Sequence, residues 1–263
     1  MSLPFVAARM YRGGSFAAGP AAPVADTGVS EQDILDMGPV WWFDADRAYV
    51  EEGSGDPVET DGDNVTAWLD KSGNDRDFIG HQAGYYPHWY EADSNANDKP
   101  YVEFAYDRMR WQADDDYTTP MTFYWALADI TTAQNAKEYY NGTKAISTAH
   151  HASAWPNGFY SNFGADGSNY YGTIQSTTPH ILQYAATGSA VHLRVNGGAG
   201  EGVESSFGDP ETNTLVSDTN YLTIDQPNAY MYEFLAIPNY THEQDDVFSY
   251  LGDKYGITVS EVS

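Results

Sequence analysis

Carboxylates are the most abundant reactive side chains here: Asp and Glu number 38 against 12 Lys and Arg, a formal net charge of −26. Glycoside hydrolysis needs two of them flanking the scissile bond. Glu103 in Tyr-Val-Glu-Phe and Glu233 in Met-Tyr-Glu-Phe-Leu each stand alone in a strand-like run, with no carboxylate two residues away. That spacing predicts no hydrolytic strand. Calcium takes several oxygens from carboxylates, amides and carbonyls. Weak candidates are Asp44 and Asp46, Asp61 and Asp63 in Asp-Gly-Asp-Asn, and Asp70 and Asn74, which bracket Asp-Lys-Ser-Gly-Asn. Turn chemistry, with Asp and Asn capping backbone amides and Gly supplying positive φ, accounts for the last pair equally well.

Aromatic rings are the other candidate contacts. Tyr85, Tyr86 and Trp89 lie in one dense run, and Tyr139-Tyr140 and Tyr170-Tyr171 repeat the theme in polar loops. Such rings can stack on sugar faces or anchor interfaces, and they also pack across sheet ends with no ligand. His150 and His151 are adjacent and show no third ligand at zinc spacing. The absence of cysteine removes thiolate metal sites and cysteine nucleophiles.

So acidic a chain lacks the cations that nucleic acid or an anionic membrane surface would demand, and it carries no apolar run long enough to span a bilayer. At 41% hydrophobic and 15% aromatic residues it nevertheless holds enough apolar mass for a core. From residue 37 onward short alternating or aromatic runs recur between turn signals: 101–104, 121–130, 180–184, 191–195 leading into Asn196-Gly197, 221–224 and 229–237. No strand–helix alternation is present, so the expected class is an all-β antiparallel two-sheet sandwich over residues 37–263. One helix is expected over about 242–255. Thr241 and Gln244 form a capping box, Val247, Phe248, Leu251 and Tyr255 share a face, and Gly256 terminates it. Residues 1–36 read as an extended arm. Its Gly/Ala/Pro-rich first 24 residues hold Arg9 and Arg12 and no acid. Phe5, Val6, Arg9, Met10, Tyr11 and Arg12 are its docking candidates.

Three stretches together resemble the laminin-G-like jelly rolls of the concanavalin A-like lectin/glucanase superfamily, found in phage virion and bacterial surface proteins. They are Trp42-Phe43-Asp44-Ala45-Asp46 with Val65 to Asn74, the strand Lys99 to Phe104, and Tyr232 to Ile237 leading into the helix and its Tyr250 to Ile257 end. The resemblance implies a jelly roll whose concave face hosts glycans in some members, an active site in others and nothing in many. With the basic arm and no basic stretch ahead of an apolar one at the N-terminus, the expectation is a non-enzymatic bacteriophage virion structural protein. It would be a capsid decoration, spike or tail adhesin, docked on a capsid or tail protein by its arm and able to touch host glycan. No certain cofactor is implied, and a homo-oligomer is compatible with the fold. The alternatives are a bacterial surface or secreted glycan-binding module and a polysaccharide-degrading enzyme.

Overall fold

The structure, a computed structural model, describes residues 28–52, 55–80, 83–105, 107–112, 117–118, 120–129, 136–141, 144–151, 155–161, 169–173, 178–186, 191–196, 198–199, 214–216, 221–225, 228–238 and 246–260; in the strands between 136 and 173 it describes the backbone alone. The arm candidates Phe5, Val6, Arg9, Met10, Tyr11 and Arg12 lie outside these residues.

Two antiparallel sheets form a sandwich, as expected. Among the described residues one sheet has nine strands, in the order Gly198–Ala199, Val191–Val195, His180–Ala186, Met121–Asp129, Asn228–Pro238, Lys99–Ala105, His88–Asp93 and Asp63–Asn64, with Trp41–Asp44 also paired to Asn228–Pro238. The other has ten, running from Asn169–Thr173 through Tyr221–Asp225 and Arg108–Gln112 to Val50–Glu52 and Asp56–Pro57. The 11-residue strand Asn228–Pro238 organises the first sheet. Met121–Asp129 pairs along one edge, while Lys99–Ala105 and Trp41–Asp44 share the other end to end.

Alternation decides what each face of that sheet buries. Phe123, Trp125 and Leu127 point between the sheets with Phe43, Phe234, Trp68, Phe78 and Met109. Tyr124, Ala126 and Ala128 point the other way, into a second core. Two helices cover it: α1 (Glu31–Asp36), which buries Ile34, and α2 (Asp246–Tyr255), which buries Val247, Phe248, Leu251 and Tyr255. The apolar face read from the sequence for α2 is therefore the face it buries, and Gly256 ends it at φ +67 as expected. The capping residues proposed at 241 and 244 lie outside the described residues. α1 is an addition, because residues 31–36 are helical where an extended arm was expected. Ser30 and Asp33 close a capping box on each other, with Asp33 accepting from the Ser30 N–H at 2.7 Å.

The inter-sheet core is largely aromatic. Phe234 stacks on Phe43 and Phe123 at 5.9 and 6.2 Å and packs on Trp125 at 5.3 Å. Phe234→Ala should cost about 3–5 kcal/mol of unfolding free energy. Ile79→Ser, at a position 49% exposed, should stay within about 0.5 kcal/mol; urea titration of both variants checks the contrast.

Candidate functional site

Asp44 lies directly opposite Glu233 in the pairing of Trp41–Asp44 with Asn228–Pro238. Like charges facing each other across a sheet repel unless a cation joins them. Lys254, in the last turn of α2, does so: its Nζ lies 2.7 Å from both Asp44 Oδ2 and Glu233 Oε2, and 3.1 Å from the Tyr250 hydroxyl. A bulge makes room for this. Ala126 pairs with Glu233 but Leu127 with Met231, leaving Tyr232 as an extra residue, so Tyr232 and Glu233 both face α2. Glu233, 1% exposed, accepts from Trp42 Nε1, from the Tyr255 hydroxyl at 2.7 Å and from Lys254. Three donors and no acceptor is the pattern of an ionised carboxylate.

A second ammonium arrives from the Asp70–Asn74 turn. Asp70 accepts from the backbone of Trp42 and Ser72, both at 3.0 Å, and from the Ser72 hydroxyl at 2.7 Å. Asn74 donates to Pro39 O at 3.0 Å, and Gly73 supplies φ +83. The turn so fixed aims Lys71 at Asp44 Oδ2 (2.9 Å) and Glu31 Oε1 (2.7 Å), with its Nζ 4.5 Å from the Trp42 ring centre. Below, the buried indoles of Trp68 and Trp89 donate to the carbonyls of Asp44 and Ala45, each at 2.8 Å, and hold the strand end that carries the acids.

Burial would push the Asp44 carboxyl up, but Lys254 and Lys71 outweigh it and hold it below the usual carboxylate range. Burial pushes Glu233 up, against the pull of Lys254. Lys254 would be lowered by burial, yet Glu233, Tyr255 and Asp44 carry it well above an ordinary lysine.

Above this cluster opens a cavity of about 340 Å³ lined by Glu31, Asp44, Asp46, Tyr49, Lys71 and Lys99, with Pro100, Lys254 and Tyr255 completing the wall. Three of the chain's five lysines thus meet in one place. Lys99 opens the strand Lys99–Ala105, whose Val102 and Phe104 enter the inter-sheet core, so Lys99, Tyr101 and Glu103 share the opposite face. Tyr101 is the centre of a ladder crossing three strands: Tyr90 stacks on it at 5.0 Å and 12°, and Tyr230 lies at 4.6 Å. All three rings are partly exposed. Tyr90 hydrogen-bonds Glu103, and burial with neighbouring phenols and carboxylates raises the pKa of each ring. These hydroxyls stay protonated at neutral pH.

Of the residues singled out in the sequence, Trp89 is core, with Arg47 over its ring at 5.3 Å. Tyr86 lays its ring over Gly80, and Tyr85 is 47% exposed. The side chains of Tyr139, Tyr140, Tyr170 and Tyr171 lie outside the described residues. The calcium candidates do not gather. Asp44 is held by lysines, and Asp46 donates its N–H to Asp44 Oδ1 at 3.0 Å. Asp61 accepts from Glu91 N at 2.7 Å, and Asp63 caps Glu59 and Thr60 at 2.9 and 2.8 Å. Among the described residues no group of three or more His, Cys, Asp or Glu is placed to hold a metal, and no helix is long and apolar enough to cross a membrane. The ladder was missed because residues 90, 101 and 230 become neighbours only through strand register.

No protein-family profile matches the chain, and no curated protein matches it in sequence. Solved structures do match. Domain 4 of AbnA, a GH43 extracellular arabinanase from Geobacillus stearothermophilus in complex with arabinotriose, is 12% identical with a TM-score of 0.51, over 68% of this chain and 91% of that one. A GH54 α-L-arabinofuranosidase soaked with a cyclic sulfate inhibitor is 13% identical with a TM-score of 0.55, over 85% of this chain; the match spans 65% of the arabinofuranosidase. At such identities the shared property is the β-sandwich. The expectation of a non-enzymatic virion structural protein is corrected by these matches, since the chains that share the fold come from glycoside hydrolases.

Lys254→Met leaves the buried Glu233 without an ammonium, while Asp44 keeps Lys71, and should cost about 3–5 kcal/mol. Glu31→Gln, whose side chain is 53% exposed, should cost less than about 1 kcal/mol. Asp44 stabilises the fold above its ordinary pKa, and that contribution disappears as pH falls through its depressed value. Glu233, raised, has the opposite sign and contributes less as pH rises through its own value. Asp44→Asn should therefore flatten the loss of stability below about pH 4, measured by chemical unfolding across pH.

Proposed function

We propose that this chain acts on polysaccharide, binding it along the face that runs from the Tyr90–Tyr101–Tyr230 ladder to the lysine-lined cavity and serving its degradation. The carrying observation is the ladder itself: three partly exposed rings in contact across adjacent strands, with Glu103 hydrogen-bonded among them. Flat aromatic surface takes the apolar face of a sugar ring, while carboxylates accept its hydroxyls. The cavity beside it is polar and of a size for a small number of sugar units. The glycoside hydrolase chains that share the fold, one of them a domain in complex with arabinotriose, support the same reading. If bond cleavage follows binding, Asp44 and Asp46 are the cavity carboxylates nearest one another in the chain. Asp44, held ionised, suits the base or nucleophile of a pair rather than its acid.

A finer placement among sandwiches, as a laminin-G-like jelly roll of the concanavalin A-like superfamily, belongs to this proposal. Supporting it, the three stretches that carry the resemblance meet at the cavity: Asp44 from the first, Pro100 from the second and Lys254 from the third.

The test is a panel of soluble polysaccharides followed by affinity electrophoresis and by release of reducing ends. Wild-type protein should be retarded by at least one, and Tyr101→Ala should weaken that binding about tenfold without lowering the melting temperature by more than a few degrees. Retardation by none would sink the reading. Binding without new reducing ends would confine the role to holding the glycan.

A further inference from the structure

Among 38 acids, an ammonium group in this chain should find a carboxylate easily. Lys71 and Lys254 each find two. Lys99 is the exception: half-buried at the cavity wall, its side chain makes no ion pair or hydrogen bond among the described residues. Its register partner across the ladder is Asp93, the natural counter-ion for that position. Asp93 is engaged elsewhere, accepting from the Tyr232 hydroxyl at 2.6 Å and from the backbone and side-chain nitrogens of Asn95 at 2.8 and 3.1 Å. Lys99 is left facing the cavity. Asn97 keeps it there, because its side chain donates to the carbonyl of Asp253 at 3.3 Å and so ties the turn before Lys99 to the end of α2.

The other two lysines of the wall, Lys71 and Lys254, are already neutralised by the acids they bind. Asp46 and Glu31 line the same space and offer acceptors for hydroxyls. One free ammonium beside several carboxylates fits a ligand that carries both an anion and donor hydroxyls. Tyr101 lies two residues along the same face, on the order of 7 Å away, within reach of an adjoining sugar unit.

We propose that the cavity is a subsite for a uronic acid residue, its carboxylate on Lys99 and its hydroxyls on the acidic wall, so that the polysaccharide engaged is an acidic one. This rests on the glycan-directed reading above and names its substrate class. The long-range field of a protein at −26 opposes any anionic ligand, so the contact must be local. Raising salt from about 0.01 M to about 0.15 M shortens the screening length from ~30 to ~8 Å and relieves that repulsion while touching a half-buried pair much less. Binding should strengthen with salt, where simple ion exchange would weaken.

The experiment is calorimetric titration with a trimer of galacturonic acid and with a neutral arabinose trimer, on wild type, Lys99→Gln, Lys99→Arg and Tyr101→Ala. Wild type should bind the uronate at least about tenfold more tightly than the neutral trimer, and more tightly at the higher salt. Lys99→Gln should lose that preference, Lys99→Arg should retain it, and Tyr101→Ala should weaken both ligands. Equal affinity of wild type for the two trimers, or a preference that survives Lys99→Gln, overturns the uronate subsite and leaves the glycan reading standing. Binding of neither trimer, nor of any polysaccharide in the panel, overturns both.

Discussion

One ammonium holds this architecture together. Lys254 joins the acid at the end of the first long-range strand, the acid in the middle of the longest strand, and the helix that seals the outer core. Each carboxylate would be costly alone in that position, and the two would repel each other; the lysine makes both tolerable at once. The arrangement is a specification as well as a stabiliser, because no shift of α2 by a turn keeps Lys254 on both oxygens. The site follows from it. The cavity is the space left where the helix end, the Asp70–Asn74 turn and the start of Lys99–Ala105 meet around that charge.

The sheet under α2 is buried on both faces, which explains why its strands read as near-continuous apolar runs. Trp41, Trp42 and Phe43 are all fully buried, on alternate faces. A carboxylate buried on such a strand needs partners, and Asp44 and Glu233 have them. Charge in this protein is therefore segregated: an acidic exterior keeps the chain apart from other anions, while the few lysines are concentrated where carboxylates have been carried inward.

Much of this was legible in the sequence. The sandwich, the strands read at 121–130, 180–184 and 229–237, the α2 face and the Gly256 stop all follow from periodicity and cap chemistry, which are local. α1 was written in Ser30 and Asp33 but is short enough to be taken for part of an arm. What failed to show was non-local. Glu233 looked like an isolated acid because its partners lie 21 residues ahead in α2 and 191 residues back at Trp42. Trp89 looked like a ligand-facing ring because the dense aromatic run around it hides the alternation that sends it inward. The ladder depends on a register that only the folded sheet defines.

The longest strand of the nine-stranded sheet, Asn228–Pro238, has a further consequence, one of timing. It lies at the middle of its sheet yet is the last long strand in chain order. As the chain leaves the ribosome, Trp41–Asp44, Lys99–Ala105 and Met121–Asp129 must all wait, each with a hydrogen-bonding edge open, for a strand that begins only at Asn228. So many distant pairings set a slow completion of the fold. Until Lys254 emerges, Glu233 has no ammonium to meet it in the interior and Asp44 has only Lys71. The last turn of α2 thus acts as a latch that closes on the sheet only once Asn228–Pro238 is in place.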